Sequence, residues 1–149
     1  MKYTKILPPT YLLIAMSSML TLHFLFPVAW IVPPLWNLLG LVFMVTGVII
    51  NLIADKAFHQ AGTTVKPFEE SSKLVMDGVF QISRNPMYLG FVLILTGTAI
   101  LLRSLSPYLI ILAFAFSVDR TFIRVEEGML AKKFGTVWEQ YKSRTRRWL

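Results

Sequence analysis

The stretch Ile6–Ala54 reads ILPPTYLLIAMSSMLTLHFLFPVAWIVPPLWNLLGLVFMVTGVIINLIA, 49 residues without a Lys, Arg, Asp or Glu. His23 is its one side chain that titrates near neutrality. A helical bilayer crossing takes about 20 apolar residues, so the run has room for two. A soluble domain of 149 residues has nowhere to hide it. Over the whole chain 15% of residues are charged and 55% hydrophobic, against roughly 25% and 45–50% in soluble domains. Soluble enzymes, disulfide scaffolds and disordered chains are excluded by this pattern. A cleaved signal has one apolar core of about 7–15 residues and does not account for it.

Working outward, four spans are expected. They lie roughly at Thr10–Pro27, Leu35–Ala54, Met87–Leu102 and Pro107–Val118. Pro27, Pro33 and Pro34 fall between the first two, with Trp30 suited to the interface. That uncharged turn predicts a tight helical hairpin. The third span is short, about 24 Å of helix, and fits a thinned or protein-lined place. Ser106 and Pro107 read as cap and first residue of the fourth, with the helix projecting as far as Phe134.

Of the 15 Lys and Arg residues, only Arg103 falls on the opposite side of such a four-span arrangement. The positive-inside rule then places both termini and the 55–86 segment in the cytoplasm. A three-span arrangement would put the basic tail outside and is disfavoured. The net charge of +7 is thus mainly a topology signal. The absence of cysteine excludes disulfides, thiolate metal sites and a cysteine nucleophile. One membrane-embedded domain is expected over 1–149, with 1–54 as the hairpin and 55–149 as the polar core.

Three constellations carry potential chemistry. The first is Ser83-Arg84-Asn85-Pro86-Met87-Tyr88-Leu89-Gly90. Asn85 and Pro86 suit a helix start, whose free N–H groups attract anions. Gly90 permits close approach of a helix or a ligand. The plain alternative is a membrane-entry cap with Arg84 at the headgroups and Tyr88 in the aromatic belt. The second is Glu126-Glu127, preceded by Arg120 and Arg124. Adjacent helical residues diverge by about 100°, so one carboxylate is expected to face inward. A solvated helix with an Arg124–Glu127 pair is the alternative. The third is the tail. There Gly135 reads as a helix stop, Thr136 to Glu139 as a capping box, and the basic and aromatic residues as suited to a membrane surface rather than nucleic acid.

His23, in mid-span, reads as a buried hydrogen-bonded histidine rather than a proton relay. His59 has only Asp55 at a ligand-like spacing, a weak metal signal. No serine has a credible base.

In order, Leu74-Val75-x-x-Gly78-x-Phe80, Ser83-Arg84-Asn85-Pro86-x-Tyr88-x-Gly90, and Glu126-Glu127 followed by Phe134-Gly135-x-x-Trp138-x-x-Tyr141 form one set. It resembles the isoprenylcysteine carboxyl methyltransferase and phospholipid methyltransferase superfamily of integral membrane enzymes, over about residues 62–149. The resemblance implies an all-α polytopic membrane fold with a cytoplasmic cofactor-binding region in a cell (inner) membrane. It implies S-adenosylmethionine as cofactor and a hydrophobic, lipid-like methyl acceptor. Ser72, Lys73, Leu74, Val75 and Phe80 would line the cofactor. Asn85, Pro86, Met87, Tyr88 and Gly90 would contact it, and Glu126, then Glu127, would be its acids. Arg84 and Arg124 would be the catalytic cations.

The sequence departs from the family twice. Asn85 stands where the motif has histidine, and Asn does not shuttle protons near neutrality. Phe122 stands four before Glu126, where the prenylcysteine enzymes carry a substrate-binding arginine, leaving Arg124 as the substitute. An NADPH-dependent membrane reductase with a similar tail, and a non-catalytic lipid-binding protein, are the competing readings.

Overall fold

The computed structural model describes residues 7–63, 68–69 and 71–149. The topology charges Lys2, Lys5 and Lys66 lie outside them. The chain is all-helical, and among the described residues the only β pairing is an isolated bridge between Trp30 and Ser104. The helices are α1 (Pro8–Leu25), α2 (Leu39–Ala61), α3 (Pro86–Leu102), α4 (Pro107–Val118) and α5 (Arg124–Arg144). Pro8, Pro86 and Pro107 each open a helix, where a missing N–H costs nothing. Gly62 (φ 66°) closes α2, and Arg103 (φ 67°) closes α3 in the same left-handed conformation.

Among the described residues one helix, Trp36–Ala61, is long and apolar enough to cross a bilayer, with mean hydropathy 2.2. Pro86–Leu102 is a shorter apolar helix. It is also the centre of the bundle. Leu95 and Ala99 have no exposed surface, and α1, α2 and α4 all pack on it. The short third apolar helix is therefore lined by protein.

The expected α1–α2 hairpin is not what forms. α2 packs along α3, whereas α1 packs on α4 and α3. The reason is steric and is carried by four glycines. A Cβ on Gly40 or on Gly97 would overlap the other's carbonyl oxygen, and a Cβ on Gly47 would lie 2.5 Å from the Gly90 carbonyl oxygen. The two pairs sit seven residues apart on each helix, two turns of an antiparallel contact, so one face of α2 fits against one face of α3 at backbone distance. α1 carries no glycine and cannot approach α2 in this way.

At the opposite end of the bundle from the start of α3, the two connectors pair. The Ile31 N–H donates to the Arg103 carbonyl at 2.9 Å, and the Leu105 N–H to the Ala29 carbonyl at 2.9 Å. Arg103 Nε donates to the Val32 carbonyl at 3.0 Å, and its guanidinium lies over Trp30 at 5.6 Å. His23 is hydrogen-bonded, as expected, with Nδ1 2.8 Å from Ser104 Oγ.

The fourth helix runs further than expected. After α4 the segment Asp119–Ile123 forms a π turn, and α5 follows directly. Ser106 makes no side-chain cap and points to the Leu22 carbonyl instead. Gly135 (φ 48°, ψ −119°) interrupts α5 as a kink, after which the helix resumes at once.

Candidate active site

The loop before α3, the first turns of α3 and the inner face of α5 enclose a cavity of about 630 Å³. Leu74, Val75 and Phe80 line one side, Asn85 to Tyr88 a second, and Glu126, Glu127, Trp138 and Tyr141 a third. Its apolar end continues to Phe91 and to Leu7, Pro8 and Pro9 at the start of α1. The cavity lies where α3 begins, so the N–H groups of its first turn, which lack helical partners, belong to this wall.

Both glutamates line the cavity, where helix spacing predicts one, and they take different partners. Glu127 is buried. It receives Arg84 Nε at 3.2 Å and Nη2 at 3.1 Å, and Arg147 Nη2 at 2.6 Å. Glu126 accepts the Tyr88 hydroxyl at 2.8 Å. No cation is paired with it among the described ion pairs, and burial pushes its carboxyl up to about 7. The Tyr88 hydrogen bond opposes that rise and the neighbouring Glu127 charge adds to it. The π turn sets the phase: Phe122 and Ile123, adjacent in sequence, are both wholly buried. Phe122 stacks on Tyr88 at 6.1 Å, which backs the Tyr88–Glu126 contact.

Arg84, expected as a catalytic cation, is in the wall but fully engaged. Besides Glu127, its Nη1 donates to the carbonyls of Lys142 at 3.0 Å and Thr145 at 2.9 Å. Its guanidinium lies 5.6 Å over Trp138. Arg124 is not in the cavity wall. It is half-exposed and donates from Nε to Asp119 at 2.9 Å. The Arg124–Glu127 pair is replaced by this one because Arg84 and Arg147 already occupy Glu127.

Three further expectations move. Ser72 turns away from the cavity, its hydroxyl donating to the Gly62 carbonyl at 3.0 Å and its N–H received by Thr63 Oγ1 at 2.9 Å. Gly90 faces α2, against Gly47 and Asn51, and lies outside the cavity wall. Asn85 makes no side-chain cap, because its Nδ2 donates to the Arg147 carbonyl at 3.2 Å. The other expected residues, Lys73, Leu74, Val75, Phe80, Pro86 and Met87, are in the wall with Tyr88 and both glutamates.

Trp138, Tyr141 and Arg147, which the sequence suits to a membrane surface, belong instead to the cavity wall and its support. The Tyr141 hydroxyl donates to the Phe80 carbonyl at 2.6 Å, and burial pushes it up to about 12. Trp138 and Tyr141 are three apart on a helix and both apolar-faced, a spacing that marks one buried stripe. Arg147 left no local signal, since its partners are 20 and 28 residues away.

A helix start, an acidic pair and aromatic side chains surround one largely apolar cavity, a lining of the kind small-molecule sites have. The phospholipid methyltransferase family matches residues 35–137, and the chain belongs to that family. The protein-S-isoprenylcysteine O-methyltransferase of Saccharomyces cerevisiae is 36% identical over 115 residues, 74% of this chain and 47% of the yeast protein. The probable protein-S-isoprenylcysteine O-methyltransferase of Oryza sativa subsp. indica is 32% identical over 136 residues, 85% of this chain and 67% of the rice protein. Protein-S-isoprenylcysteine O-methyltransferase B of Arabidopsis thaliana is 42% identical over 79 residues, 51% of this chain and 39% of that protein. The chain spans about half the length of the yeast relative. No solved structure matches it.

Proposed function

We propose that the protein is an integral membrane methyltransferase that uses S-adenosylmethionine to methylate a lipid-like acceptor at the cytoplasmic face. The observation that carries this is the single cavity joining the start of α3 and Glu126 to an apolar end at Phe91 and α1. Its volume is in the range of about 300–1,000 Å³ typical of small-molecule sites.

The residues fit the donor's chemistry. The N–H groups at the start of α3 suit its carboxylate. Glu126, without a paired cation among the described residues, suits its ammonium or ribose diol. Phe80 and Trp138 offer flat apolar surface for the adenine. Bound there, the cofactor would supply the methyl group, its sulfonium sulfur keeping the bond's electron pair as a neutral thioether while the acceptor's lone pair takes up the methyl. The chain's part is to hold donor and acceptor in line and exclude water, which accounts for much of such a rate. Asn85 is in the wall, but its amide takes up no proton near neutrality. Arg84 braces Glu127, and Arg124 stands outside the wall on Asp119.

The four-crossing arrangement belongs to this reading. Outward apolar side chains on α1, α2 and α4, such as Phe24, Leu52 and Leu112, meet lipid. The paired connectors with Arg103 lie on the non-cytoplasmic side, and the cavity at the other end opens to the cytosol.

Titration of the detergent-purified protein with S-adenosylmethionine, S-adenosylhomocysteine and NADPH by calorimetry tests the proposal. Binding of the first two is expected. NADPH binding alone would establish a reductase, and a folded protein that binds none would establish a non-catalytic role.

A further inference from the structure

The last residues of the chain cross back over the start of α3 and are bound to it at every step. The Arg84 N–H donates to the Arg146 carbonyl at 3.0 Å. Ser83 Oγ donates to the Arg147 carbonyl at 3.0 Å, and Asn85 Nδ2 reaches the same oxygen at 3.2 Å. The three residues that lead into the cavity-lining turn of α3 are thus each bonded to the tail, in addition to the local bonds from the Asn85 N–H to Ser83 Oγ and from the Ser83 N–H to the Val79 carbonyl.

The Arg147 side chain extends the connection to the other wall. Nη2 and Nε approach Glu127 at 2.6 and 3.3 Å, and Nη1 approaches Asp119 at 3.1 Å. One guanidinium fork therefore ties the π turn and the acidic pair of α5 together, while its own carbonyl ties them to α3. Arg147 is not in the cavity wall. Glu127 is shared between Arg84 and Arg147, so its charge is compensated twice and it is fixed in place. Glu126 is left as the carboxylate available to a ligand.

We infer that Arg147 is a positioning residue of the donor site, resting on the function proposed above. By holding Glu127 and the entry to α3 at once, it sets the distance between the α3 N-terminus and Glu126, the two groups that receive opposite ends of the donor's amino acid moiety. Lysine cannot replace it fully, because an ammonium lacks the planar fork that serves two carboxylates.

The test is S-adenosylhomocysteine affinity, read by calorimetry, for the wild type, Arg147→Ala, Arg147→Lys and Arg146→Ala. Arg146 is exposed, and its substitution removes the same charge one residue away. Arg147→Ala is expected to weaken binding about tenfold or more, as for removing one charge partner of a buried carboxylate. Arg147→Lys should fall between it and the wild type, and Arg146→Ala should stay within about twofold.

A second readout separates positioning from mere folding. Glu126 faces Tyr88 on α3 and Glu127 on α5, with Arg84 and Arg147 acting through Glu127, and Glu69, Lys73, Lys132, Lys133 and Tyr141 elsewhere on the cavity wall. Without Arg147 the Glu127 charge is less compensated, so the pH midpoint of binding should move upward. A purely structural loss would weaken binding at every pH with the midpoint unmoved, and would overturn the inference. Wild-type affinity in Arg147→Ala would do the same. If Arg147→Ala does not fold, affinity within about twofold of wild type in Arg147→Lys overturns it. Absence of binding by the wild type overturns the proposed function, and this inference with it.

Discussion

The Tyr88 hydroxyl donates to Oε1 of Glu126 at 2.8 Å, joining the first turn of α3 to the first turn of α5 across the cavity wall. The bond favours the ionised carboxylate, whereas burial disfavours it, and burial wins.

The first prediction follows from that balance. The folded carboxyl is raised from 4.5 to about 7, so its contribution to stability is complete below the unfolded value and is lost as pH rises through about 7. A ligand ammonium needs the ionised form. Affinity for S-adenosylhomocysteine should therefore rise with pH through about 7, and binding near pH 6 should release protons, seen by calorimetry in buffers of different ionisation enthalpy. Glu126→Gln should remove the proton release and weaken binding by about 1.5–3 kcal/mol. It should raise the melting temperature of the free protein at pH 8 and leave it nearly unchanged at pH 5. Affinity independent of pH across this range would remove Glu126 from the site.

The glycine contacts make a second prediction. Gly97→Ala places a methyl group into the Gly40 carbonyl and should destabilise by about 1–3 kcal/mol or more. Gly128→Ala meets open space in a helix interior, and should be neutral or stabilising by up to about 1 kcal/mol. Thermal unfolding in detergent compares the two. Equal melting temperatures would mean that α2 and α3 are not packed at backbone distance.

Arg84 and Arg124, similar in the sequence, should differ sharply. Arg84→Ala leaves a buried carboxylate short of a partner and two carbonyls without a donor, a loss of about 3–5 kcal/mol. Arg124→Ala removes a half-exposed ion pair and should cost about 0–1 kcal/mol, with donor affinity unchanged. A large effect of Arg124→Ala on affinity would restore it to the site.

The absence of cysteine makes topology simple to test. Leu105→Cys lies in the connector beside Arg103, and Ser143→Cys near the end of α5; both positions are exposed. In intact cells a membrane-impermeant maleimide should label the first and reach the second only after permeabilisation. Labelling of both from one side would rule out the four-crossing arrangement.

The motifs around Asn85 and Glu126 were legible because they are local. Proline at a first helical position, adjacent acids and a Gly-x-x-Trp-x-x-Tyr run can be read within one or two turns. The duties of the cations were not. Arg84 and Arg124 both looked available, yet Arg84 is consumed by Glu127 and by carbonyls about 60 residues away, and Arg124 by Asp119. A charge's partner depends on which segments meet, and sequence spacing carries no record of that.

The sequence by itself determined the helices and their apolar character. Forty-nine residues without charge permit few other outcomes, because a desolvated backbone must satisfy its hydrogen bonds internally. It also determined the family, through the order of its motifs. Only the tertiary structure decided that α2 pairs with α3 and not with α1. Two glycines on each helix fall into register only when the chain is folded, and backbone contact then outweighs proximity in sequence. It also decided which acid stays available to a ligand. Glu127 is taken up by Arg147, a residue at the far end of the chain, and Glu126 is left facing the cavity.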